Sequence, residues 1–424
     1  MADERQDSAT ILGTTLRASS AFLFGIAILA PTLAVPLAQA QTLTVLHNFS
    51  GASDGAQPPS GLTMDSAGDL YGVAISGGMG YGVVYKMTHG VGGWRMTTLY
   101  RFRGGYDGAY PVAAPVFGPD GALYGTTSGG GEGCGSYGCG TVYRLAAPAS
   151  SCKTALCEWT ETGLYRAVTD NGEELDGQVL FDRAGNIYST VGLGGESDGG
   201  YVFELTPSGQ RWTRQILYSF KPRQGDCNDP HAGLVFDSSG NLYGTADTGC
   251  PLISGGVFEL TPSAQGWTES ILRSFNDRTD GYGSYAPLTP DGQGNFYGTT
   301  FDLGPQGGGT IFELTPSGQG WAFSIVWTFN EYDDNGANPY DPVSLDAAGN
   351  LYGTTFECFG YYGTVFKLTP SNNGWAETVL YRFLDGDDGG WPESSVVMDA
   401  QGNLYGTTAE GGADDNGVVW EITP

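Results

Sequence analysis

Short apolar and alternating runs follow one another from residue 43 to residue 423, separated by turns rich in Gly, Asn and Asp. Nowhere does an apolar period of 3.6 persist, so the pattern predicts an all-β chain. One unit shows the order. Residues 232–237 form a short apolar strand, followed by a Ser-Ser-Gly-Asn turn in which Gly240 is free to take a positive φ. Residues 242–245 return as a second strand. After a Gly-rich loop, residues 256–261 alternate apolar and polar as a third strand. Residues 262–266 turn, and residues 267–275 make a fourth.

This unit recurs. Gly-Asn-Leu-Tyr-Gly-Thr-Thr stands almost unchanged at 240–245, 294–300, 349–355 and 402–408. Looser copies surround Tyr71, Tyr124 and Tyr188. The seven tyrosines (71, 124, 188, 243, 297, 352 and 405) are spaced by 53, 64, 55, 54, 55 and 53 residues. A fixed period of this size marks a repeat architecture whose units lean on their neighbours. Seven four-stranded antiparallel units predict a seven-bladed β-propeller over residues 41–424. The last unit stops after its third strand, at 417–423, and residues 43–49 (Leu-Thr-Val-Leu-His-Asn-Phe) match the fourth strands of other units. The ring is therefore expected to close by pairing the two.

Both faces of a blade pack on neighbours, so adjacent Leu and Tyr of the second strand can both be buried, and the Gly after them permits close approach. Aromatics on the third strand (Tyr85, Tyr143, Phe203, Phe258, Phe312, Phe366, Trp420) and tryptophans opening the fourth (94, 159, 212, 267, 321, 375) read as core. The third unit departs from the pattern. It has Ile187-Tyr-Ser-Thr, a longer insert before it, and an incoming strand that lacks the final Phe.

The repeated Gly-Asn-Leu-Tyr-Gly-Thr-Thr stretches resemble the GloVer tandem-repeat proteins, exported bacterial proteins of the choice-of-anchor group. The Thr-Val-Phe-Lys-Leu-Thr-Pro strand at 364–370 and the Trp…Thr-Val-Leu-Tyr-Arg-Phe strand at 375–383 carry the same resemblance. It covers nearly all of residues 42–424. It implies an exported repeat protein and brings no enzymatic activity with it. Some members carry a C-terminal anchoring segment; the sequence given shows none.

Composition changes the picture at three points. Residues 21–37 are an apolar run ending in Ala-Gln-Ala, preceded by Arg17 and interrupted by Pro31 and Pro36. This predicts a signal peptide over 1–40, cleaved before Gln41, and a mature chain that does not span a membrane. The net charge is −28. Phosphate binding needs clustered Lys and Arg, so a nucleic-acid partner is excluded, whereas glycan, protein or cation partners stay open. Seven cysteines fit an oxidising compartment, with Cys134–Cys139, Cys152–Cys157 and Cys227–Cys250 as disulfide candidates and Cys358 left over.

Candidate chemistry gathers on the linkers between blades. Asp54, Asp107, Asp280 and Asp388 stand in Asp-Gly steps, Asp334 in an Asp-Asn-Gly step, and Asp170 and Asp226 at corresponding places. Such a ring of carboxylates could hold Ca²⁺. Aspartates closing local turns are the plainer reading, since one carboxylate per blade is too sparse for a closed site. The same face carries Tyr106, Tyr110, Tyr285, Tyr340, Tyr361 and Trp391, which suit the apolar faces of sugar rings; local loop packing is the alternative. His231 immediately precedes a first strand, where a propeller channel opens, and is the one histidine with a place for general-base chemistry. The Gly-rich loops open no helix and carry no Lys-Ser/Thr, so they are not phosphate cradles.

The leading expectation is a non-catalytic exported scaffold that binds a ligand, a glycan among them, on the linker face. The alternatives are a lyase or hydrolase at the channel mouth and a structural envelope component. Convergence of His231 with carboxylates in a channel-mouth pocket would favour the enzyme; a flat aromatic face without it would favour binding.

Overall fold

The computed structural model describes residues 41–131, 139–148, 159–168, 174–209, 211–318 and 320–424. The expected leader, Cys134, Cys152, Cys157 and Asp170 lie outside the described residues. The chain forms seven small antiparallel sheets arranged as a seven-bladed β-propeller. The fourth blade is representative: Val235–Phe236, Leu242–Ala246, Gly256–Ser263 and Gly266–Ser274, in that order from the inside outwards. The inner strand is shorter than residues 232–237 because only Val235 and Phe236 pair with Tyr243 and Leu242. The residues before them turn into the channel mouth.

The ring closes as the termini of the repeat require. Thr42–Asn48 pairs antiparallel with Val418–Thr423, joining Thr42 to Thr423 and Asn48 to Val418. The first strand of the chain is thus the fourth strand of the last blade.

The repeated Asp-x-x-Gly-Asn-Leu-Tyr stretch is a hydrogen-bonded clasp. In the fourth blade Asp237 Oδ1 accepts from the amides of Ser239 and Asn241, at 2.8 and 2.9 Å. Its Oδ2 accepts from Asn241 Nδ2 at 2.9 Å and from the Tyr243 hydroxyl at 3.2 Å. The same hydroxyl lies closer, 2.8 Å, to Glu259 Oε1 on the third strand, so its single proton is shared between the two carboxyl groups. One carboxylate therefore satisfies the turn and orients the tyrosine. The glycine after the tyrosine is required by an aromatic ring: a Cβ on Gly244 would lie 2.5 Å from Phe258 Cζ, and one on Gly406 would lie 2.3 Å from the Trp420 ring. Fourth-strand tryptophans reach the preceding blade, Trp321 meeting Tyr243 and Trp375 meeting Tyr297. Packing between blades thus repeats with the sequence.

The third blade compensates for its departures. Ser189 stands where the other units have Gly, and Gly177 stands opposite it. The Ser189 hydroxyl donates to the Gly177 carbonyl at 2.9 Å, and a Cβ on Gly177 would lie 2.0 Å from Thr190 Oγ1. The side chain lost from the inner strand is regained on the second. Ala167, fully buried, takes the place of the missing phenylalanine.

Candidate functional site

Seven residues, each twelve positions before its unit's tyrosine, form a ring at the channel mouth: Pro59, Val112, Asp176, His231, Tyr285, Tyr340 and Glu393. They line a cavity of about 400 Å³ to which all seven blades contribute. Each is half-buried, while the residue after it is buried in six of the seven blades. The alternation aims one side chain per blade at the cavity. The ring has two unlike arcs. Blades one and two supply Pro59 and Val112, backed by Ile75, Ala113 and Ala114; blades three to seven supply the polar and aromatic groups.

His231 is the centre of the polar arc. Its Nδ1 lies 3.1 Å from Asp176 Oδ2 on the preceding blade, and its Nε2 lies 2.8 Å from Asp229 Oδ1. Burial of the ring lowers its pKa, but hydrogen bonds to Asp176 and Asp229 outweigh this and push it up to about 10. His231 is an imidazolium at neutral pH. In that state the ring donates protons. Gly192 leaves room for the pair: a Cβ there would lie 2.7 Å from His231 Cε1 and 2.8 Å from Asp229 Oδ1.

Tyr285 and Tyr340 occupy the next two ring positions. Their rings stack at 5.1 Å between centroids and 18° between planes, and Phe301 packs against both. Burial and then the Asp247 carboxylate raise the Tyr285 pKa. Burial and then Glu393 raise that of Tyr340. Beyond Tyr340 the carboxyls are crowded. Burial, then Asp341 and Glu410, push Glu393 up to about 7. Burial pushes Asp341 up to about 7 against amide hydrogen bonds from Ser395 and Gly61. Asp247 is raised by burial and then by Asp229, and Glu174 by burial and then by Asp176.

The linker aspartates are held by local donors. Asp388 accepts from the Tyr381 hydroxyl at 2.9 Å and the Leu384 amide at 3.0 Å. Asp107 accepts from Tyr100 and from the Arg103 amide, and Asp280 from Arg273 and the Asn276 amide. Asp54 accepts from the Ser50 amide at 3.0 Å and lies 3.2 Å from His47 Nε2. Asp334 pairs with Arg382 at 3.5 Å. All but the last tie the end of one blade's fourth strand to the linker into the next; Arg382 ends the fourth strand of the blade that Asp334's linker enters. Asp226 lies near Glu269 and Cys227, but Cys227 is disulfide-bonded to Cys250 and its sulfur is no metal thiolate.

Among the proposed aromatics the structure brings only Tyr285 and Tyr340 into the ring. Tyr106 is exposed under Arg166. Tyr110 lies beside Tyr81, Trp391 stands edge-on to Tyr362, and Tyr361 closes a turn with Cys358. Tyr110 and Trp391 hold the same register as Asp229, two residues before the ring, and all three have a positive φ. Asp176, Glu393 and Asp341 escape a reading by residue type. For Asp176 and Glu393 the signal is the constant twelve-residue offset from the tyrosine, visible once the seven units are placed in register; Asp341 follows the ring position of its unit.

Among the described residues no helix is long and apolar enough to cross a membrane. No curated protein matches the sequence. Solved structures align over most of it at low identity. The extracellular domain of a one-component system from B. thetaiotaomicron has a TM-score of 0.54 at 10% identity, covering 90% of this chain and 40% of that one. The PL25 ulvan lyase, bound to a GlcA(1-4)Rha3S unit, has a TM-score of 0.52 at 12% identity, covering 87% and 94%. A Bacteroides fragilis protein described as a 6-phosphogluconolactonase has a TM-score of 0.51 at 12% identity, covering 79% and 86%. At such identity these likenesses carry the fold alone. The model of the Gloeobacter/Verrucomicrobia repeat matches residues 32–170, 81–300 and 291–424, and the chain belongs to that repeat family.

Proposed function

We propose that this is an exported propeller that recognises a carbohydrate at its channel mouth, not on the outer linker face. The observation that carries the reading is the ring itself: two stacked tyrosines flanked by His231, Asp176 and Glu393 on one cavity. Sugar rings present apolar C–H faces that suit aromatic surfaces and hydroxyls that donate to carboxylates. The Cys227–Cys250 disulfide supports an oxidising destination. A glycan array probed with the protein, in calcium and in chelator, tests the reading. Binding that is lost in Tyr340→Ala supports it, and absence of binding in both conditions removes it.

Catalysis at the same cavity is the second reading, favoured by the convergence of an imidazolium with several carboxyls. Glu393, pushed up to about 7, holds a proton over much of the neutral range, as a general acid must, and Asp176 lines the same cavity. Release of new reducing ends from a bound glycan, abolished in Glu393→Gln while binding persists, would establish cleavage at this cavity, and an unsaturated new end would mark elimination and its absence hydrolysis. Binding without any product would leave recognition alone.

A further inference from the structure

We infer that the channel mouth selects uncharged sugars and rejects uronic and sulfated ones. The inference rests on the channel-mouth reading and adds the charge class of its ligand.

The residues lining the cavity include no Lys or Arg, and His231 is their one cation. That cation already faces two carboxylates, Asp176 and Asp229, so the trio carries a net negative charge. Nothing in it is left to meet an incoming anion. On the far side of the tyrosine stack, Glu393 and Asp341 line the same cavity and add negative charge above about pH 7. Burial and then repulsion from a neighbouring carboxylate raise the pKa of Glu393 in the cavity lining, and the same two causes raise Glu174 beside Asp176 and Asp247 beside Asp229, so the site already resists the negative charge it holds. A uronate or sulfate placed there would lose its hydration and gain like-charge neighbours, which is how a binding site excludes a near-isosteric competitor. The opposite arc, Pro59, Val112 and Ala114, offers no hydrogen bond from a side chain and suits the C–H face of a neutral pyranose. The charge of the whole chain, −28, acts in the same direction at longer range.

Matched pairs test this: methyl glucoside against methyl glucuronide, methyl galactoside against methyl galacturonide, and methyl rhamnoside against its 3-sulfate. The expected result is that whichever neutral member binds does so at least about tenfold more tightly than its acidic partner at low salt. With the pairs compared at about pH 8, above the raised value of Glu393, the gap should narrow as NaCl screens the cavity mouth, and it should narrow in Glu393→Gln. If that variant does not fold, the salt series on the unmodified protein decides alone. An acidic member that binds as well as or better than its neutral partner overturns the charge selectivity and leaves carbohydrate recognition standing. Failure of every pair to bind overturns both.

Discussion

His231 Nδ1 lies 3.1 Å from Asp176 Oδ2, although 55 residues separate them in the chain. The two hold the same position in adjacent blades. Their pairing therefore depends on the propeller ring and not on any local turn. With Asp229 on the other nitrogen, the contact fixes the imidazolium between two carboxylates. Everything polar in the channel mouth is arranged around that trio.

His231→Gln should destabilise the protein by about 1.5–3 kcal/mol at pH 6, the usual range for hydrogen bonds to charged groups. The folded pKa of about 10 exceeds the ordinary histidine value of 6.5. The stabilisation is then complete below about 6.5 and disappears as pH rises through 10. Urea denaturation of both proteins at pH 6 and pH 10.5 checks this. A difference that is the same at both pH values would show that His231 is not held as a cation.

Several carboxyls have the opposite character to an ordinary salt-bridged acid. Glu161, Glu269, Asp341, Glu377 and Glu393 are all pushed up to about 7, chiefly by burial. Between their unfolded values near 4 and about 7 the folded protein holds more protons than the unfolded chain, so stability falls as pH rises across that window. His231 acts in the same sense above 6.5. Thermal midpoints should therefore be higher at pH 5 than at pH 8. A midpoint that rises from pH 5 to pH 8 would contradict the burial of these groups.

The disulfide Cys227–Cys250 joins residues 23 apart and anchors the linker that leads to Asp229 and His231. Its removal in Cys227→Ser/Cys250→Ser should cost about 3 kcal/mol on the chain-entropy argument. Sugar binding should weaken with it, because the linker carries the site. Reductant should lower the thermal midpoint of the unmodified protein by more than that of the double variant, which keeps the disulfide at Cys139. An equal effect of reductant on both would place the stabilising bridge elsewhere.

The architecture was legible in the sequence because five of the seven units carry one Asp, Asn and Tyr clasp in full. Asp237, Asn241 and Tyr243 recur with fixed spacing, and a seven-fold period leaves little freedom to the fold. Closure was legible from an unfinished last unit and a spare strand at residues 43–49. The site was legible only in part. Tyr285, Tyr340 and His231 were visible as residue types, but Tyr106, Tyr110, Tyr361 and Trp391 looked equivalent to them and pack elsewhere. Aromatic type carries no information on direction, whereas register does. Asp176 and Glu393 stand twelve residues before Tyr188 and Tyr405, as His231 stands before Tyr243. That offset decides which side chains meet across 50 residues of chain. The protonation of His231 could not be read at all, since it depends on a carboxylate from another blade.

Calorimetric titration of a neutral glycan into the unmodified protein, Tyr340→Ala and Tyr106→Ala separates the channel mouth from the outer face. Tyr340 lines the cavity and Tyr106 is exposed on a linker. Tyr340→Ala should weaken binding about tenfold or more, and Tyr106→Ala should leave it within about twofold. Loss of binding in Tyr106→Ala with full binding in Tyr340→Ala would contradict recognition at the channel mouth.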